Sequence, residues 1–114
     1  MTNLDYVNQI LAAYTALAHT PDRPSRADRA LARDLCSHQV PLQTVLNAML
    51  LATVRRYYRD PSLGQLDRIR SLHYFLPIVR QLEKQPLDPC YVEYLERKHA
   101  DIPSASLTTE RSTP

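Results

Sequence analysis

The chain has one glycine among 114 residues, and this scarcity argues against β-rich folds. Sheet proteins need glycine in the tight turns that join their strands. Nine prolines mark the segment boundaries instead, and Ala, Leu, Arg and Gln, which favour helices, are plentiful. The composition therefore predicts an all-α protein. Its length and 44% apolar content suit one domain with a modest core.

Long apolar runs and a cysteine framework are also missing. No stretch approaches the roughly 20 apolar residues that a membrane span requires. The first residues, Met1 to Asp5, lack the basic region of a signal peptide. Cys36 and Cys90 fall in segments predicted to be helical, where we expect buried, reduced thiols rather than a disulfide. We therefore expect a cytoplasmic protein with no membrane partner.

Lysine is scarce, so arginine supplies almost all of the positive charge. Twelve of the 14 basic residues are arginine, and ten of these lie between Arg23 and Arg80. That segment holds four acids and carries +6, whereas segments 1–22 and 81–114 carry −2 each. Guanidinium groups bind phosphate in bidentate geometry and stack on rings better than ammonium groups do. The distribution favours a nucleic-acid partner, with an acidic protein as the alternative.

Apolar residues spaced three and four apart predict four to five helices. Thr2 or Asn3 can cap the first helix, Ser25 with Asp28 resembles a capping box, and Asp88 can cap the last. We predict a compact helical domain over residues 1–100 and a disordered tail over 101–114, which is rich in Ser, Thr and Pro. The predicted helices cover about 3–18, 25–39, 41–59, 66 or 71–84 with a kink near His73 to Pro77, and 89–99.

The third predicted helix has the widest apolar face, so we expect it to be central. The inward-facing residues predicted for the first three helices are Leu4, Val7, Leu11 and Tyr14; Ala27, Leu31 and Leu35; and Leu42, Val45, Leu46, Met49, Thr53 and Tyr57.

A candidate helix-turn-helix extends from Leu31 to Leu46. One helix ends, a short turn carries an apolar residue, and a second helix begins with polar residues. Gln39 stands where such turns often have glycine, so an ordinary helical hairpin is the alternative. In the helix-turn-helix interpretation, three side chains would point outward and reach base edges: Gln43, Thr44 and Asn47.

A second candidate interface interleaves arginine with aromatic rings on both sides of the loop after the third helix. Phosphates attract guanidinium groups, and unstacked bases stack on rings. The alternative is a solvated basic face, and for Tyr57, Tyr74 and Phe75 we expect rings packed in the core. We call Arg55, Arg56, Arg59, Arg68 and Arg70 the arginine patch; its neighbours are Tyr58, His73 and Tyr74. A further outward stripe on the second helix consists of Arg26, Arg29 and Arg33.

Metal and catalytic chemistry have no matching pattern. Cys36, His38, His73 and Cys90 are suitable ligand types, but their spacing matches no known metal site. The sequence contains no Gly-rich phosphate loop, no set of nucleophile, base and orienting group, and no paired-carboxylate motif. We therefore expect a protein that is not an enzyme and needs no metal or cofactor.

Two apolar segments flank the Arg-rich linker: Val40–Ala48 (V-P-L-x-x-V-L-x-A) and Ile69–Ile78 (I-x-S-L-x-Y-F-x-x-I). Over less than half of the chain, this pattern resembles the DnaD-like domains and similar C-terminal modules of phage and plasmid replication proteins. Pro77 departs from the pattern. The resemblance implies association with DNA and a scaffold role beside a replication initiator or helicase loader.

Together, these features predict a small accessory protein in replication or a mobile genetic element. We expect it to bind nucleic acid, DNA rather than RNA, without strong sequence preference. The alternatives are a helical adaptor that docks an acidic protein and a small helical subunit of a nucleoprotein complex. A homodimer or a protein partner is compatible with each interpretation.

Overall fold

The computed structural model describes residues 2–17, 20–64 and 66–102. In these ranges every regular element is helical and no strand forms, which confirms the predicted all-α class. None of the described helices is long and apolar enough to cross a membrane. The α-helices are α1 (Asn3–Ala16), α2 (Arg26–Ser37), α3 (Leu42–Tyr57), α4 (Leu76–Lys84) and α5 (Pro89–Ala100). Short 3₁₀ helices cover Pro61–Leu63 and Leu72–Phe75.

Side-chain caps begin three of the helices. The Thr2 hydroxyl accepts a hydrogen bond from the Asp5 backbone N–H at 3.1 Å, and the Asp5 carboxylate accepts one from the Thr2 backbone N–H at 3.3 Å. Ser25 and Asp28 form the same reciprocal pair at the start of α2, and Asp88 caps α5. These contacts confirm the predicted caps, because the signal for a cap lies within four consecutive residues.

Helix α3 is central, as predicted, because it contacts α1, α4 and α5. The 3₁₀ helix Leu72–Phe75 packs against α2, α3 and α4. Small residues Ala48 and Ala52 are buried on α3, and they let the neighbouring helices approach closely. The core of the domain is thus built around both sides of α3 rather than along one stripe.

Several predicted core positions are wrong. Leu4, Ala27 and Tyr57 are exposed, while Leu42 and Leu46 are only half-buried. In α1 the buried stripe includes Tyr6 and Ile10, because α1 packs against α3 as well as α2, and Leu4 is left at its edge. In α3, neighbours on several sides cover Ala48, Leu51 and Ala52 instead of the predicted Leu42 and Tyr57.

The cysteines and helix ends also differ in part from the prediction. Both cysteines are free thiols, but Cys36 is half-buried and Cys90 is exposed, because it lies on the first turn of α5. Helix α3 ends at Tyr57 rather than Arg59. The fourth helix does not begin at Leu66: 66–71 lacks regular structure, and the predicted kink corresponds to the junction between Leu72–Phe75 and α4.

The ends of two predicted segments lie outside the described residues. Helix α1 ends at Ala16, and Ala18, the predicted end, is not described. Beyond α5, Ile102 packs against the core and donates its backbone N–H to His99 O at 3.0 Å. The rest of the predicted tail, 103–114, also lies outside the described residues.

Helix α2 ends in a Schellman motif. The Val40 N–H bonds to Leu35 O at 3.1 Å, and the Gln39 N–H bonds to Cys36 O at 3.0 Å. Gln39 adopts φ 60°, a left-handed conformation that glycine adopts without steric cost. The Tyr6 hydroxyl donates to Val40 O at 2.6 Å and ties this turn to α1. The turn between α2 and α3 is therefore well fixed although it lacks the usual glycine.

Replacing Gln39 with glycine should stabilise the protein. The exposed Gln39 side chain has no partner among the described residues, so its removal breaks no interaction. Relief of the left-handed strain should exceed the added backbone entropy of the unfolded chain, for a net gain of about 0.5–1 kcal/mol. Urea unfolding of the purified variant measures the gain. The control is Gln39→Ala, which keeps the β-carbon; an equal gain in both variants would mean that φ is not the cause.

Candidate nucleic-acid interface

In the described part of the chain, no arginine or lysine side chain forms an ion pair with a carboxylate. Four aspartates bind backbone N–H groups instead: Asp5, Asp28, Asp60 and Asp88. Arginine keeps its charge at all physiological pH values. The folded surface consequently presents guanidinium groups that remain available to an anion.

Arg56 joins the two halves of the arginine patch. Its Nη2 donates to Asp67 O at 2.7 Å, and its Nη1 donates to the Tyr74 hydroxyl at 3.2 Å. The guanidinium carbon lies 5.3 Å from the centre of the Tyr74 ring, a cation–π contact. The end of α3 is thus held against the segment that carries Arg68 and Arg70.

That segment is fixed at its other end by a buried acid. Asp28 on α2 is 1% exposed, and its carboxylate accepts the Leu72 backbone N–H at 2.8 Å. Ile69 is buried while Arg68 and Arg70, on either side of it, are exposed. The buried Ile69 anchors the segment in the core, and the arginines on both sides of it are accessible to solvent.

Two further members of the patch have different surroundings. Arg68 Nη2 lies 3.5 Å from Thr20 O, and Arg59 Nη1 donates to Gly64 O at 2.6 Å. Arg59 lies beyond the end of α3, so helical spacing does not place it on one face with Arg55. Arg55 is exposed on the last turn of α3 and makes no hydrogen bond, ion pair or ring contact with other described residues. A carbonyl contact orients a guanidinium without cancelling its charge.

Two acids, Asp60 and Asp67, lie in the loop between the two halves of the patch. The Asp60 carboxylate accepts the Ser62 backbone N–H at 2.9 Å, and this hydrogen bonding lowers the pKa of Asp60. The loop therefore keeps a negative charge near Arg59 at neutral pH. Arg55 and Arg70 are the members of the patch that make no hydrogen bond, ion pair or ring contact with other described residues.

The aromatic residues differ most from the sequence interpretation. Phe75 is buried, as predicted, but Tyr57 and Tyr74 are exposed. Tyr57 is the last residue of α3, and the Arg56 guanidinium lies over the Tyr74 ring. His73, also exposed, has its Nδ1 3.0 Å from the Ser71 hydroxyl. Two rings of the region are therefore accessible where a packed core was expected.

Exposed side chains on α5 also belong to this region, and the sequence alone did not predict them. Tyr91, Tyr94 and Lys98 lie three and four residues apart on one side of this helix, and both rings are exposed. The Tyr58 hydroxyl donates to Lys98 O at 3.2 Å, so Tyr58 links α3 to this side of α5. The spacing along α5 was a usable signal, but the proximity of α5 to Tyr58 requires the tertiary fold.

The outward-facing arginines predicted for α2 have different surroundings. Arg29 and Arg33 line a groove of about 420 Å³ with Asn3, Leu4 and Val7 of α1, while Arg26 is exposed at the start of α2. No hydrogen bond or ion pair of the described residues joins these side chains to the arginine patch.

The side chains predicted to reach base edges interact with each other. Gln43 Nε2 donates to Asn47 Oδ1 at 2.8 Å on α3. Gln43 is exposed, whereas Thr44 and Asn47 are half-buried. This bond occupies Asn47 Oδ1 and one N–H of Gln43, so a base that binds either group competes with it, which reduces the gain from that contact.

Comparison with known proteins assigns no family to the chain. No protein-family model matches the chain, and no curated protein and no solved structure shows significant similarity to it. The resemblance to DnaD-like domains stays a prediction. Among the described residues, no three His, Cys, Asp or Glu side chains are grouped so that they could hold a metal ion. The interface is therefore interpreted from its own geometry.

Proposed function

We propose that the protein binds nucleic acid as a non-enzymatic accessory protein and contacts phosphates through the arginine patch. The supporting observation is that Arg56 bonds the backbone of Asp67, the residue before Arg68, and that none of the five guanidinium groups pairs with a carboxylate of the described chain. Phosphates are the natural partners of such groups, and phosphate contacts supply most of the affinity of sequence-independent binding.

Binding of this kind is tolerant of sequence. The patch offers guanidinium groups and rings rather than a helix with unpaired amide side chains, and Gln43 and Asn47 bond to each other. The preference for DNA over RNA, and a role in replication or in a mobile element, are part of the proposal and are supported by the resemblance to DnaD-like domains. An acidic protein partner would use the same arginines, so the test has to separate the two.

A matched pair of charge reversals provides this test. Arg55 on α3 and Arg80 on α4 are both exposed and both helical, and neither makes a hydrogen bond, ion pair or ring contact with other described residues. Arg55→Glu should weaken the binding of a labelled oligonucleotide. The slope of log affinity against log salt should become shallower by about 0.7–0.9 for each phosphate that the variant no longer binds. Arg80→Glu, outside the patch, should bind with the slope of the parent.

Fluorescence anisotropy across a potassium chloride series measures both quantities, and circular dichroism checks that each variant is folded. Equal losses for Arg55→Glu and Arg80→Glu would reflect net charge alone and contradict a defined patch. If the parent binds neither single- nor double-stranded oligonucleotides at physiological salt, the nucleic-acid proposal is wrong and the adaptor alternative replaces it.

A further inference from the structure

Four of the seven tyrosines lie on the surface made by the end of α3 and the outer side of α5. We call Tyr57, Tyr58, Tyr94 and Tyr91 the tyrosine strip. Each of these side chains is between 42% and 48% exposed. Groups of exposed rings on a small domain mark interaction sites, because isolated apolar side chains are normal but contiguous ones are not.

The rings form two neighbouring pairs that one lysine connects. The Tyr57 and Tyr58 centroids are 4.9 Å apart, and those of Tyr91 and Tyr94 are 5.8 Å apart with planes at 22°. The Lys98 Nζ lies 5.1 Å from the Tyr58 centroid and 5.8 Å from the Tyr94 centroid. The hydrogen bond from the Tyr58 hydroxyl to Lys98 O holds the two helices together at this point. The strip is thus pre-arranged in the free protein.

Cations accompany the rings. Arg55 precedes Tyr58 by three residues, the spacing at which helical side chains are neighbours, and Lys98 lies between the two pairs of rings. A surface of adjacent rings and cations matches a chain of flat, apolar bases joined by phosphates. Bases reach such rings only when they are unpaired and unstacked, since a duplex keeps the faces of its bases inside.

We propose that the tyrosine strip is a stacking platform for the bases of single-stranded nucleic acid, while the neighbouring arginines hold its phosphates. This inference rests on the proposed function and makes it specific, because a duplex would engage the arginines alone. The preferred ligand is therefore a single strand, and affinity comes from two separable sources: salt-sensitive phosphate contacts and salt-insensitive stacking.

Tyr94 is the residue that tests the strip. Its interactions in the described structure are those with the Tyr91 ring and the Lys98 ammonium, so it can be changed with little effect on the core. Tyr94→Ala should bind oligothymidine roughly 5- to 150-fold more weakly, the range that loss of one stacked base produces. Its salt slope should equal that of the parent. Tyr94→Phe keeps the ring and should bind as the parent does.

Intrinsic fluorescence gives a second readout. The chain has no tryptophan, so tyrosine is its emitter. Stacking of a base on a tyrosine should quench this emission, so oligothymidine should quench the parent more strongly than a duplex of the same length. In Tyr94→Ala the quenching should decrease. Tyr91→Ala, the next ring along the strip, repeats the test if Tyr94→Ala fails to fold.

The possible results separate this inference from the function on which it rests. If Tyr94→Ala binds oligothymidine like the parent while Arg55→Glu binds weakly, the strip is not a platform and the phosphate interface remains. If Tyr94→Ala weakens single-strand and duplex binding equally, the preference for a single strand is wrong. If the parent binds no nucleic acid, both proposals are wrong.

Discussion

Replacing Asp28 with alanine should lower the free energy of unfolding by roughly 3 kcal/mol or more. The carboxylate is buried and accepts backbone N–H groups from Ser25 at 2.9 Å and from Leu72 at 2.8 Å. Each hydrogen bond to a charged group contributes about 1.5–3 kcal/mol, and its removal leaves the buried Leu72 N–H without a partner. Urea unfolding followed by far-ultraviolet circular dichroism measures the loss.

Asp5 is the matched control for this change. It occupies the same third position of a capping box, on α1, but it is exposed and contacts only Thr2. Asp5→Ala should therefore cost about 1 kcal/mol or less. If the two substitutions had equal effects, the contact between Asp28 and Leu72 would add nothing and Asp28 would act only as a cap.

Asp28→Ala should also affect binding of nucleic acid. Without the hydrogen bond from Leu72 to Asp28, the segment that carries Arg68 and Arg70 loses one of the contacts that fix it. The arginine patch should then have a lower affinity for oligonucleotides even under conditions in which the variant remains folded. Asp5→Ala, far from the patch in the chain, should bind as the parent does, so anisotropy on both variants distinguishes this effect from general destabilisation.

Asp28 also illustrates what sequence can and cannot predict in this fold. Its role as a cap follows from the spacing Ser25-x-x-Asp28, because both partners lie in one turn. Its contact with Leu72 joins residues 44 positions apart, and no local pattern indicates it. The caps, the central α3 and the all-helical class were therefore predictable, whereas the fixing of the arginine segment was not.

The aromatic residues show the same limit of prediction from sequence. Periodicity places Tyr57 on the apolar face of α3, yet whether that part of the face is covered depends on where α4 and α5 lie. The ring is exposed, and it joins a strip whose other members come from α5 and the end of α3. Apolar spacing identifies the residues that can be buried, but the packing of distant helices determines which of them are.

Alkaline pH should unfold the protein over a defined range. Burial in the core raises the pKa of Tyr6 and that of Tyr14 to about 12, with smaller contributions from Cys36 and Glu83 at Tyr6 and from Asp28 at Tyr14. The ordinary pKa of a tyrosine hydroxyl is 10.0. Below pH 10 both the folded and the unfolded chain keep these protons, so the stabilisation is fully present. Between about pH 10 and 12 the unfolded chain ionises and the folded chain does not.

The free energy of unfolding should therefore decrease as the pH rises from about 10 to 12. Each tyrosine contributes roughly 2–3 kcal/mol to the decrease, since one pKa unit corresponds to about 1.4 kcal/mol. The combined loss, roughly 5 kcal/mol, is comparable with the whole stability of many small domains. Urea unfolding at a series of pH values from about 8 to 12 should show a flat region followed by a steep decline above pH 10.

Phenylalanine substitutions assign the decline to these two hydroxyls. The double variant Tyr6→Phe/Tyr14→Phe keeps both rings but has no phenol to ionise. Its stability should fall much less between pH 10 and 12 than that of the parent. An equally steep alkaline decline in the double variant would show that other groups cause it.

The single variants should differ at neutral pH, because the two hydroxyls have different surroundings. Tyr6→Phe removes the hydrogen bond to Val40 O and should cost about 1 kcal/mol. The buried Tyr14 hydroxyl has no partner in the described structure, so Tyr14→Phe should be neutral or stabilising. Urea unfolding at pH near 7 compares the two variants with the parent. A large loss of stability in Tyr14→Phe would show that its hydroxyl is satisfied in solution.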